Sequence, residues 1–154
     1  MNYHICDIFV FMEKEIQKNN NLIEEIKGFI NEAKETVAIT ANSALTILYW
    51  NIGHRINNEI LQNKRADYGQ QIIRALSKRL TEEFGKGWSE KQLRHCLRFA
   101  ETFQEKEIVY ALSRQLTWTH FRTLIYIENE LSREFYAEMC RLEGWTTRVL
   151  NENI

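Results

Sequence analysis

Lys91, Arg94 and Arg98 stand at i, i+3 and i+7, a spacing that puts three cations on one side of a helix. Cations so arranged neutralise phosphates, and their neighbours supply further polar reach. Gln92, Arg94 and His95 are candidates for base edges, and Lys86, Lys91 and Arg98 for phosphate contacts. The surroundings reinforce the reading. Between residues 64 and 98 there are nine Lys or Arg against four acids, a local net of +5, whereas residues 1–63 hold five cations and eight acids. The whole chain is close to neutral, at −1. Positive charge is therefore concentrated where a polyanion-binding surface would need it.

Other chemistry finds less support. Glu25-Ile-Lys27 and Glu32-Ala-Lys34 match the E-x-K end of a metal-dependent nuclease site. Both fall on a helical stretch without a preceding acidic strand, so a solvated charged face is the simpler account. The histidines at 4, 54, 95 and 120 have no partners at zinc spacing, and His120 reads as a structural or capping group. No phosphate loop, nucleophile elbow or local Cys–His motif occurs. No catalytic residue, metal site or cofactor is assigned, and the chain is expected not to be an enzyme. Cys6, Cys96 and Cys140 are odd in number and far apart, which predicts free thiols in a reducing cytoplasm. No apolar run reaches the roughly 18 residues of a membrane helix.

The basic face needs an element to hold it. Phe84-Gly-Lys-Gly-Trp-Ser89 predicts a helix stop at Gly85 and a new start at Ser89, with Gln92 closing an S-x-x-Q capping box. Leu93, Cys96, Leu97 and Ala100 share the buried side of that second helix, leaving Lys91, Arg94, His95 and Arg98 elsewhere. Helix, short glycine turn and basic helix form a helix-turn-helix layout. The helix before it, from Gln70 to Phe84, is expected to bury Ile72, Ile73, Leu76, Leu80 and Phe84; residues 63–69 read as a polar turn.

Upstream, apolar residues recur at helical spacing from Leu22 to Ile60. They predict one long helix, or two with a break near Thr40–Ser43, most simply a core helix. Gly28 and Gly53 inside it point to close helix contacts. Residues 1–20 form an ill-defined lead, with Met12 as the expected natural start. Downstream, 104–112 is a charged connector without a clear period. Thr117 reads as an N-cap, with Leu116 stapled onto Phe121. A helix from about Asn129 to Glu143 stops at Gly144, and another begins at Trp145–Thr146, so that the chain reads as cut within an element. Trp50, Trp88, Trp118 and Trp145 are assigned to packing. The fold class is all-α, with one helical domain over 21–154.

Many ordered blocks carry a resemblance. Leu48-Tyr-Trp-Asn-Ile-Gly53, Tyr68-Gly69, Glu83-Phe-Gly-Lys-Gly-Trp-Ser89, Leu116-Thr-Trp-Thr-His-Phe-Arg122, Arg133-Glu-Phe-Tyr136 and Trp145-Thr-Thr-Arg148 lie among them. From about Ile26 onward the chain resembles the N-terminal domain of the bacterial YhcG-like family. There a helical domain regarded as DNA-binding precedes a PD-(D/E)xK nuclease domain. The resemblance implies a non-catalytic module for double-stranded DNA in a nuclease context, the catalytic acids belonging to a nuclease-domain partner. The rival expectation is an interaction scaffold, with the long helix making a homodimer or docking a partner subunit; a dispersed enzymatic site ranks third.

Overall fold

The computed structural model describes residues 3–62 and 67–154, with side chains from residue 9 onward. The turn expected over 63–69 therefore lies largely outside the described residues, as do the side chains of His4 and Cys6. Among the described residues every regular element is helical, as the all-α expectation requires. By backbone contacts the chain divides into two units, Met1–Ala38 and Ile39–Ile154.

The first helix, α1 (Tyr3–Gln62), runs through both without the break expected at Thr40–Ser43. The reason is where the polar side chains go. Asn42 Nδ2 donates to Ser113 O and Leu116 O, both at 2.9 Å, and Ser43 Oγ donates to Ser113 O at 2.9 Å. Satisfied by another segment, they do not compete for the hydrogen bonds of their own helix. Within the first unit Leu22, Ile26, Phe29, Ile30 and Val37 are exposed, so that part of α1 is not a core helix.

In the second unit, α1 is followed by α2 (Tyr68–Phe84), a 3₁₀ turn (Lys86–Trp88), α3 (Glu90–Thr102) and α4 (Lys106–Leu112), then α5 (Trp118–Leu124), α6 (Glu130–Glu143) and α7 (Thr147–Asn153). The connector over 104–112 thus contains a helix, too short for its period to show in the sequence. Gly85, at φ +95°, ends α2 where expected, and Gly144, at φ +62°, ends α6 in the left-handed region. Asn129 Oδ1 accepts Ser132 N–H at 2.8 Å and opens α6.

Two apolar clusters hold this unit. The larger gathers Trp50, Phe99, Val109, Leu116, Phe121, Leu124, Ile125 and Leu150, with Trp118 and Trp145 half-buried beside it. Trp50 Nε1 donates to Phe103 O at 2.6 Å, giving a buried indole its partner. The smaller joins Ile56 of α1, Ile73 of α2 and Leu93 of α3, with Trp88 against it. Leu150 is fully buried and Tyr136 Oη donates to Asn153 O, so α7 is packed in place rather than left as a free end.

Candidate functional site

α3 is presented by its start and held by its inner face. Ser89 Oγ accepts Gln92 N–H at 3.2 Å, and Glu90 sits in the first turn, where the helix dipole favours an acid. Only half of the expected capping box forms, because the Gln92 amide lies 4.0 Å from Cys96 Sγ instead of returning to Ser89. Leu93, Cys96, Phe99 and Ala100 are buried. A Cβ on Gly53 would lie 1.8 Å from Cys96 O. Only glycine lets the backbones of α1 and α3 meet this closely. Gly28 is different: nothing lies within 4 Å of its Cβ position, so no helix contact explains it.

The six residues singled out in the sequence separate into three groups. Lys86, on the 3₁₀ turn, and Lys91, on the first turn of α3, are exposed and make no ion pair among the described residues. Arg94 is half exposed and pairs with Glu90 at 3.2 Å; Glu90 also lies 3.7 Å from Arg74, so two cations share one acid and the patch stays positive. Gln92 is half-buried. Arg98 is fastened: Nε donates to Ile125 O at 2.7 Å, and its guanidinium lies 4.5 Å from the centre of the Tyr126 ring. It remains exposed on its outer side.

His95 corrects the expected face. It is buried, at 7% exposure, with Nδ1 3.0 Å from Tyr126 Oη and Nε2 without a hydrogen-bond partner. The helical wheel places it between the two faces, and Tyr126 covers it from α5's end. Burial pushes its pKa below the usual histidine value, and the charges of Arg122 and Lys91 push the same way.

That electrostatic pairing marks a cleft that linear spacing does not reveal. Lys91, His95, Thr119, Arg122, Thr123, Tyr126 and Thr147 line a space of about 430 Å³. Two cations and the hydroxyls of Thr119, Thr123, Tyr126 and Thr147 meet there, with the buried His95 in the wall, and no acid is among the lining residues. A larger cleft of about 740 Å³ has the opposite character, carrying Glu101, Glu105, Glu128, Glu130, Glu134 and Glu138 against one Arg133. Phosphates are attracted to the first and repelled by the second. Arg122, Thr119 and Thr123 went unrecognised in the sequence. Thr119, Arg122 and Thr123 stand at i, i+3 and i+4 across α5 from the buried His120, Phe121 and Leu124, and that spacing was the available signal.

The remaining titratable groups have structural work. His120 Nδ1 accepts Thr117 N–H at 3.1 Å, so the proton resides on Nε2, which donates to Trp145 O at 2.8 Å. It caps α5 and ties that helix to the start of α7, as a capping role requires. Cys96 and Cys140 are buried free thiols, and burial pushes Cys96 up to about 12. Lys27 pairs with Glu24 at 2.7 Å on an exposed face of α1. Among the described residues no three His, Cys, Asp or Glu come together as a metal site, and no helix is long and apolar enough to cross a membrane.

A family model described as the DUF1016 N-terminal domain matches residues 25–154. The chain is also 29% identical over 156 residues to the Escherichia coli (strain K12) protein named "Putative nuclease YhcG", covering 81% of this chain and 41% of that one. It thus spans about two fifths of that relative's length. No solved structure matches.

Proposed function

From the premise that the chain belongs to the DUF1016 N-terminal domain family, we propose that it is the DNA-targeting module of a YhcG-type nuclease. The observation that carries this reading is the acid-free cationic cleft lined by Lys91 of α3 and Arg122 of α5, with Arg94 and Arg98 exposed on the same helix as Lys91 and Lys86 exposed on the turn before it. Lys86, Lys91, Arg98 and Arg122 take phosphates along duplex DNA. Arg94 and Gln92, on the first turns of α3, take base edges. His95 is removed from the reading surface and instead sets Tyr126 under Arg98. This module contributes affinity and position, and the hydrolytic chemistry resides in the nuclease domain.

Fluorescence anisotropy with labelled duplex tests the reading. With those four cations on phosphates, log Kd against log salt has a slope magnitude of about 3.6, and affinity falls roughly 150-fold between 50 and 200 mM salt. Lys91→Glu with Arg122→Glu lowers that slope by about 2 while leaving helical circular dichroism intact. Binding unchanged by the pair, or absent at low salt in the folded wild type, refutes it.

A further inference from the structure

A second surface lies in the first unit and owes nothing to the cationic cleft. From Phe9 to Val37 a series on α1 follows alternating steps of three and four, apolar at every place but Asn19: Phe9, Met12, Ile16, Asn19, Ile23, Ile26, Ile30, Ala33 and Val37. That is an unbroken heptad seam, with Phe9, Ile16, Ile23, Ile30 and Val37 at a and Met12, Asn19, Ile26 and Ala33 at d. The seven large apolar members are all exposed, from 46% for Ile26 to 68% for Val37. Gly28, with open space around its Cβ position, falls at f, on the side turned away from the seam. A repeat of 3.5 residues drifts against the 3.6 of a straight helix, so it keeps one face aligned only when wound about another helix.

We propose that residues 9–37 pair with the same residues of a second copy as a parallel, two-stranded coiled coil. Four considerations select this occupant. β-Branched residues fill four of the five a positions, which favours two strands. Parallel, in-register pairing sets Asn19 against the partner's Asn19, so each amide meets another amide. Antiparallel pairing would set Asn19 against Ile30, stripping water from an amide without replacing its partner. The antiparallel arrangement would gain Glu13 beside Lys34, but exposed ion pairs contribute little beside an unsatisfied buried amide. The area also suffices. Seven half-exposed side chains at ~60–100 Å² each, joined by Leu22 and Phe29 at the flanking g positions, approach the ~800 Å² per partner of a stable interface.

Light scattering on the whole chain tests the pairing. At tens of micromolar the expected mass is twice 18.4 kDa. Ile23→Lys with Ile30→Lys raises the dimer Kd at least about 100-fold and returns the monomer mass. All four tryptophans lie in the second unit, so unchanged tryptophan emission shows that this unit remains folded in the variant. In a Cys6→Ser background, Asn19→Cys forms an interchain disulfide on mild oxidation, since in-register d positions bring the two Cβ atoms within bridging distance. A monomeric wild type, a dimer that survives both lysines, a higher oligomer or failure of the Asn19→Cys variant to cross-link each overturns the proposal.

Discussion

Gly53→Ala measures whether the meeting of α1 and α3 is as tight as described. The new Cβ would stand 1.8 Å from Cys96 O and 2.4 Å from Cys96 C, where ordinary contact begins at 3.4 Å. Both are main-chain atoms inside α3, so no rotamer change can yield; the helices must part by the difference, 1.6 Å. Separation on that scale forfeits more than a quarter to a half of the dispersion between facing atoms. It loosens the cluster of Ile56, Ile73 and Leu93 that lies beside the contact. Overpacking costs about 1–3 kcal/mol, and more where backbone cannot move; alanine's better helix propensity returns about 1 kcal/mol. Because the clash is with backbone, the cost lies at the upper end or beyond, and a net loss of about 2 kcal/mol or more follows, read as a lower urea midpoint by tryptophan fluorescence at unchanged m value. Gly28→Ala is the internal comparison, because open space surrounds that position and only the propensity gain of about 1 kcal/mol applies. A Gly53→Ala variant within about 0.5 kcal/mol of wild type would refute the contact.

Two further outcomes follow from buried groups. Folding lowers the pKa of His95, so the unfolded chain binds more protons between the folded value and about 6.5. Stability therefore decreases as pH falls through that window, by at most about 1.4 kcal/mol per unit, and His95→Gln flattens that segment of a pH–stability curve. Glu59 and Glu138, held below the carboxylate range by Arg55 and Arg141, act only at lower pH. Cys96, with its pKa at about 12, should resist iodoacetamide at pH 8 in the folded chain and react fully once unfolded; mass spectrometry of the alkylated peptide decides, and rapid native labelling contradicts its burial.

What the sequence disclosed depended on range. Gly85, Ser89, Asn129 and Gly144 were legible because caps and left-handed turns are chosen by local backbone chemistry. The unbroken passage of α1 through Asn42 and Ser43 was not, since their acceptors lie some 70 residues away. His95 shows the limit of a helical wheel: its turn of α3 looks free until Tyr126 arrives from the turn that follows α5. The cationic cleft was half legible for the same reason. Lys91 announced itself through spacing within α3, whereas Arg122 joins it only because α5 packs against α3.

The bonds from Asn42 and Ser43 also bear on the order in which the molecule forms. α4 has seven residues, too few to persist alone, and the Ser113 and Leu116 carbonyls just past its end accept from Asn42 and Ser43 of α1. It therefore cannot serve as an early nucleus. Its appearance waits on a long loop closing, which makes it a late element of folding and one expected to exchange its amide protons early.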